Sequence, residues 1–226
     1  MPSRLRPTAP IAADAVLVGD PGRALLLAQE LLVEPKMSNH ARGLWAYFGA
    51  TPAGGELTIQ ATGMGGPSAA LVLGDLAELG VKRAVRVGTC AGTGASGAGA
   101  LGDLLVVREA IAQGGSAASL GVEPGTATTP DPELTGRLQS ELGDEGKLVA
   151  IASVDAHPVE QADAGGVAAI DMQTAPLFAR ATSLQIELAA LLIVSEAERG
   201  ATNLEKEPLA DLERRAGRAA AIVLST

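Results

Sequence analysis

Residues 15–32 read AVLVGDPGRALLLAQELL, and this stretch decides the fold class. Four apolar residues, Ala15 to Val18, run into the turn Gly19-Asp20-Pro21-Gly22 and then into a segment of helical period from Arg23 to Leu32. That is the pattern of strand, turn and helix. It returns twice. Glu56 to Thr62 leads through Gly63-Met64-Gly65-Gly66 into a helix opened by Pro67 and closed by Gly80, and Ala84 to Val87 enters the glycine turn Gly88-Thr89-Cys90-Ala91-Gly92. Repeated units of this kind predict an α/β single domain, a central mixed β-sheet flanked by helices, rather than separate α and β regions. Leu44 to Thr51 and Glu56 to Thr62 flank Pro52-Ala53-Gly54-Gly55 and read as a strand pair. Further strands are expected at Leu104 to Val107, Leu148 to Ala152, Val167 to Ile170 and Leu188 to Val194, with helices at Pro132 to Leu142, Thr174 to Ala181 and Pro208 to Leu224. Thr93 to Ala100, built only of Gly, Ala, Ser and Thr, reads as a mobile loop, and Gln113 to Pro132 as a long surface loop. No repeat or linker divides the chain, which reads as an N-terminal segment, 1–14, and one domain, 15–226.

Composition narrows the function classes. With 226 residues, 47% hydrophobic and 19% charged, the chain can bury a sizeable core and fits neither a disordered tail nor a coiled coil. Seventeen basic against 26 acidic residues give a net charge of −9, which disfavours nonspecific binding to nucleic acid or anionic lipid. One cysteine and two histidines supply neither an internal disulfide nor a structural zinc site, so a reducing cytoplasm is the expected location and no metal is expected. The most apolar run, Ile186 to Val194, contains Glu187 and falls well short of the ~20 residues needed to cross a bilayer. Asp14 and Asp20 interrupt the apolar segment behind Arg4 and Arg6, which argues against a secretory signal. Trp45, Tyr47 and Phe48 form an aromatic cluster that, if exposed, requires a partner.

Glycine turns between strand and helix gather bare backbone N–H groups and the positive helix end at one place, which suits an anion. Arg23 lies four residues after Gly19, and Arg86 lies two before Gly88, with Thr89 adding a hydroxyl. Two guanidiniums beside such turns make an oxyanion pocket in an otherwise acidic protein. Each turn taken singly reads first as turn glycines beside surface arginines, since none matches a Walker loop or the dinucleotide fingerprint. Cys90 has no His or Asp near it in sequence and reads as a small buried residue rather than a nucleophile. Glu196, an acid closing an apolar strand, reads as a site residue.

The order and wording of these turns carry a further reading. Val18-Gly19-Asp20-Pro21-Gly22-Arg23, Asn39-His40-Ala41-Arg42-Gly43, Gly63-Met64-Gly65-Gly66-Pro67-Ser68, Arg86-Val87-Gly88-Thr89-Cys90, Gly102-Asp103-Leu104 and Ile170-Asp171-Met172-Gln173-Thr174-Ala175 together resemble the purine nucleoside phosphorylase and uridine phosphorylase family, collinearly from about Ala15 to the C-terminus. The resemblance implies a phosphate site made by Gly19, Arg23, Arg86 and Thr89, with Arg42 reaching phosphate from a neighbouring subunit. It implies nucleoside contacts at Met64, Ala91, Gly92, Met172 and Gln173, and catalytic roles for Glu196, Gln173 and Arg86. Bound phosphate then attacks the anomeric carbon, the base departs, and the sugar passes through an oxocarbenium-like state.

This chain departs from the family pattern in several places. Gln173 stands where the family has a glutamate that grips the ribose hydroxyls, and Glu196 stands where it has an aspartate that protonates the purine. The family's N-terminal histidine has no counterpart in Pro7 to Pro10. His157 matches an aromatic that stacks on the base and reads equally as an ordinary loop histidine, whereas His40 reads as a surface neighbour of Arg42. Gln161 matches a glutamine that reads uracil, although that residue's usual arginine partner falls at Asp163. The resemblance therefore implies a nucleoside phosphorylase, purine nucleosides slightly preferred, that uses inorganic phosphate as co-substrate without a cofactor and assembles as a dimer or trimer of dimers. The alternatives are a uridine phosphorylase, a nucleoside hydrolase, or a degenerate member that binds nucleosides without turning them over.

Overall fold

Two aspartates, each followed by proline, start two of the helices. The Asp20 carboxylate accepts from the Arg23 N–H at 2.8 Å and the Asp131 carboxylate from the Leu134 N–H at 2.8 Å, with Pro21 and Pro132 supplying the preset φ of a first turn. The computed structural model describes residues 4–94, 98–156, 166–197 and 202–225. Along the chain these form β1 (Asp14–Val18), α1 (Pro21–Leu31), β2 (Val33–Asn39), β3 (Ala46–Ala50), β4 (Glu56–Ala61), α2 (Gly65–Glu78), β5 (Arg83–Gly92) and β6 (Leu104–Ala112). There follow α3 (Gly115–Ala118), β7 (Ala127–Thr128), α4 (Pro132–Leu142), β8 (Gly146–Ser153), β9 (Ala169–Asp171), α5 (Thr174–Leu184), β10 (Glu187–Ala197), β11 (Thr202–Asn203) and α6 (Lys206–Leu224).

The described strands make one mixed sheet in the order β11-β10-β6-β8-β9-β5-β1-β4-β3-β2, with β7 on β6. β10 also pairs with β5, so the pairings β5–β9–β8–β6–β10–β5 close into a ring. The central strands are buried on both faces, which is why they read as continuous apolar runs. In β10, Leu188, Ala190, Leu192 and Val194 join the core beneath α2 and α5, while Ala189, Leu191 and Ile193 join the core beneath α1, α4 and α6. The predicted class, one domain with a mixed sheet flanked by helices, is the class observed.

Several expectations need correction. Gly88 to Gly92 is not a turn: β5 runs through it, because β10 pairs residue by residue from Arg83 to Ala91. β2 went unread, because Pro35 and five successive exposed positions, Val33 to Met37, disguise an edge strand that among the described strands pairs only with β3. The aromatic triad is not one exposed cluster, since Tyr47 is buried in the second core and Trp45 packs against it. The surface loop from Gln113 holds α3 and β7. Of the loop read as mobile, Ala98 packs on the core and Gly99 N–H bonds the Asp103 carboxylate, while residues 95–97 lie outside the described residues. The N-terminal segment is held to the domain: Leu5 is buried, the N–H groups of Arg4 and Leu5 both donate to Asp75, and Ala12 N–H donates to Thr58.

Helix α6 lies on α1 with Gly217 at the contact, where an added Cβ would sit 2.6 Å from Leu27 Cδ2. Gly217→Leu is expected to overpack this interface and lower stability by about 1–3 kcal/mol in denaturant unfolding. Wild-type stability in that variant would refute the close packing.

Candidate active site

The parallel strands β1, β4, β5 and β10 all end at one side of the sheet, and there a cavity of about 480 Å³ opens. A crevice outside the carboxyl ends of parallel strands is the usual ligand position in α/β sheets. Gly19 enters it from the end of β1, Gly63 and Met64 from the end of β4, Thr89 and Ala91 from β5, Met172 and Gln173 from beyond β9, and Ser195 and Glu196 from β10. Ser195 and Glu196 are neighbours, yet both line the cavity. The pairing of β10 with β5 slips between Val194 and Glu196, and a bulge of this kind breaks the strand alternation that would otherwise send neighbours to opposite faces.

Beneath the cavity lies a dense polar network centred on Arg86. Its Nη2 donates to Asp171 Oδ2 at 2.9 Å, its Nη1 to Gln173 Oε1 at 2.6 Å, and its Nε to Thr174 Oγ1 at 3.1 Å. The Asp171 carboxylate also accepts from the hydroxyls of Ser153 and Thr174 and from the N–H groups of Gln173 and Thr174. Burial pushes the Arg86 pKa down, Asp171 pulls it up, and Arg23 pushes it down again. The two arginines thus share one electrostatic neighbourhood. Arg86 and Gly88 occupy the same face of β5, and a Cβ at Gly88 would lie 2.6 Å from Arg86 Nη2, so glycine there makes the room that the guanidinium fills. The expectation of a freely available Arg86 is therefore revised: it lines the cavity, but each of its nitrogens already has a protein partner.

Gln173 is likewise committed. Its amide oxygen accepts from Arg86 and, at 3.3 Å, from Thr62, while its nitrogen donates to the carbonyls of Gly63 at 2.6 Å and Gly65 at 3.3 Å. The Arg86 cation decides which end of the amide faces it. Arg23 differs from Arg86. It is buried and uses Nε to meet Glu213 Oε1 at 2.6 Å, and its terminal nitrogens have no partner among the described residues at the cavity wall.

The remaining expectations divide. Met64 is 84% exposed at the cavity's edge, and Met172 is half-buried there. Cys90 is buried, and burial pushes its thiol well above the ordinary range, so it is no nucleophile. Gly92 is not in the lining, because the Gly99 carbonyl occupies the space beside it. Arg42 and His40 are exposed and also outside the lining, Arg42 with a left-handed φ of 59°. His157 and Gln161 lie outside the described residues. Asp171 and Glu213 went unassigned by sequence reasoning. Asp171 ends an apolar strand just as Glu196 does, and Glu213 sits in the buried stripe of α6 with Ala216 and Ala220, so a signal existed for both. Among the described residues no group of three or more His, Cys, Asp and Glu is placed to hold a metal ion, and no helix is long and apolar enough to cross a membrane.

Residues 14–226 match the phosphorylase superfamily. The DeoD-type purine nucleoside phosphorylase of Caldanaerobacter subterraneus subsp. tengcongensis is 27% identical over 202 residues, 82% of this chain and 83% of that protein. The DeoD-type purine nucleoside phosphorylase of Oceanobacillus iheyensis is 43% identical over 81 residues, so this chain spans only 34% of its length. A crystal structure of uridine phosphorylase from Vibrio fischeri ES114 superposes with a TM-score of 0.82 at 18% identity, covering 95% of this chain and 92% of that one. At that identity the likeness concerns the fold.

Gln173→Glu tests whether the neutral amide limits turnover or whether the pocket is built for it. A carboxylate would strengthen the contact to Arg86 but turn an oxygen toward the Gly63 and Gly65 carbonyls, losing both donations. The expected result is a loss of about 1–3 kcal/mol in stability, the scale of an unsatisfied buried polar group, with no gain in turnover. A faster, equally stable variant would show that the amide limits the site. Gly88→Ala is expected to displace Arg86 and forfeit part of the about 3–5 kcal/mol at stake in a broken buried pair, read by thermal unfolding.

Proposed function

The chain belongs to the phosphorylase superfamily as a divergent member of the nucleoside phosphorylase family, and on that premise we propose that it cleaves the N-glycosidic bond of a nucleoside with inorganic phosphate. The observation that carries the reading is the convergence of Gly19, Arg23, Arg86 and Thr89 on one cavity that also holds Glu196. Arg23 offers unused guanidinium donors, Thr89 a hydroxyl, and the turn after β1 its backbone. These are fixed donors for an oxyanion, of the kind that lower a barrier by placing charge in advance. A phosphate oxygen then attacks the anomeric carbon as the bond to the base breaks, giving a sugar 1-phosphate and free base. Water as nucleophile would leave this donor set without a purpose.

Glu196 is the residue positioned to deliver a proton to a departing base, and a purine nitrogen is its natural acceptor. Purine nucleosides are therefore the preferred substrates on this reading, in keeping with the names of the sequence relatives.

Within one chain the buried charges of the site balance, Arg23 against Glu213 and Arg86 against Asp171. A dianion would profit from a further cation, and exposed Arg42, supplied by a neighbouring copy in a dimer or trimer of dimers, would provide it. On this reading the enzyme works in the cytoplasm, with inorganic phosphate as co-substrate and no cofactor. A second reading, a member that binds nucleosides but turns them over weakly, is favoured by Gln173, whose amide is spent on Arg86 and two carbonyls and offers no charge to a cationic sugar.

Product analysis across purine nucleosides and uridine, with and without phosphate, separates these readings. Sugar 1-phosphate formed only when phosphate is present is the expected outcome. Equal cleavage in phosphate-free buffer would establish a hydrolase, and nucleoside-induced thermal stabilisation without product would establish a binder. Light scattering showing only a monomer at micromolar concentration would remove Arg42 from the site.

A further inference from the structure

The C-terminal helix α6 meets Arg23, a residue of the cavity wall, through one side chain. Glu213 is buried in the apolar stripe of that helix, far in sequence from Arg23, and its Oε1 accepts from Arg23 Nε at 2.6 Å. A carboxylate buried in such a stripe is costly unless its partner needs it. Arg23 has five N–H donors in a rigid planar fork, so fixing the Nε edge fixes the direction of the two terminal nitrogens. Those nitrogens have no partner among the described residues, and Arg23 lines the cavity. Arg86, by contrast, has a protein partner on each of its nitrogens.

We propose that Glu213 is a positioning residue for the anion subsite, clamping Arg23 by its Nε so that the free edge of the guanidinium is presented to phosphate. Reach and charge act in opposite senses here. The clamp aims the donors, whereas the negative charge beside them weakens their pull on an anion. The outer face of α6 strengthens the assignment: Arg218 meets Glu30 of α1, so the helix that carries Glu213 is tied to the helix that carries Arg23.

The inference rests on the phosphorolytic reading, and three variants of the whole chain test it apart from that reading. Glu213→Asp keeps the charge but shortens the reach by one methylene, and Glu213→Ala removes both. Each is expected to raise the KM for phosphate by about tenfold, the equivalent of one lost charge-assisted hydrogen bond, while the KM for nucleoside at saturating phosphate changes far less. Glu213→Gln keeps an accepting oxygen at full reach without the charge, and its phosphate KM is expected to stay at or fall below that of the wild type. In an Arg23→Ala background Glu213→Asp should add nothing further to the phosphate KM.

Parallel rises in both KM values, or no change in phosphate KM for Glu213→Asp, would overturn the positioning role. A lower phosphate KM in both the Ala and Gln variants would mean that the carboxylate acts by charge alone, which also overturns it. Wild-type cleavage that is indifferent to phosphate would overturn the phosphorolytic reading and this inference with it, whereas phosphate-dependent wild type with unaltered variants would overturn this inference alone.

Discussion

The ion pair between Arg86 and Asp171, buried where β5, β9 and the start of α5 meet, is the constraint on which the site depends. Two charges removed from water are tolerable only if their remaining donors and lone pairs are met by groups of the right kind. That requirement propagates outward. Residue 88 must lack a side chain, Ser153 and Thr174 must bring hydroxyls, and residue 173 must offer an oxygen to Arg86. Gln173 meets the last demand and spends its nitrogen on the Gly63 and Gly65 carbonyls, so the turn after β4 is tied to the same centre. Three separate strand ends are thereby held around one cavity.

The electrostatics of that cavity differ from those of a simple basic pocket. The protein carries a net charge of −9, and its two site arginines are each matched by a buried carboxylate. On the proposed reading, anion binding therefore relies on oriented N–H and O–H donors in a partly dry site rather than on an excess of positive charge. Such donors cost little reorganisation when charge develops, which is the property catalysis needs. With a neutral amide at 173, the charge that favours a cationic sugar has to come from the phosphate itself. The buried centre and the proposed chemistry are coupled in this way: the amide that completes the Arg86 network is the same group that withholds a carboxylate from the sugar.

Much of this was legible locally. Asp20-Pro21 and Asp131-Pro132 announce helix starts by short-range chemistry, and the apolar runs of β1 and β10 announce strands buried on both faces. Both kinds of signal act within a few residues, so they survive without knowledge of the fold. The glycine turns likewise placed Gly19, Arg23, Arg86 and Thr89 at one site, the family resemblance added Met64, Met172 and Gln173, and the cavity does gather them. Arg42 and Gly92 share the same motifs but not the cavity wall of this chain.

By itself, then, the sequence determined the fold class and the turns that line the cavity, because periodicity, caps and glycine turns are properties of neighbouring residues, while the family came from the resemblance that its ordered motifs carry. Only the tertiary structure decided what those residues do to one another. That β5 continues through Gly88 depends on β10, about a hundred residues away, lending its backbone. That Arg86 has a partner on each nitrogen while Arg23 keeps a free edge depends on Asp171 and Glu213, brought from distant segments of the chain. Hydrogen bonding saturates a group only when its partner is within about 3 Å, and the distance between residues remote in sequence is set by packing and not by local pattern.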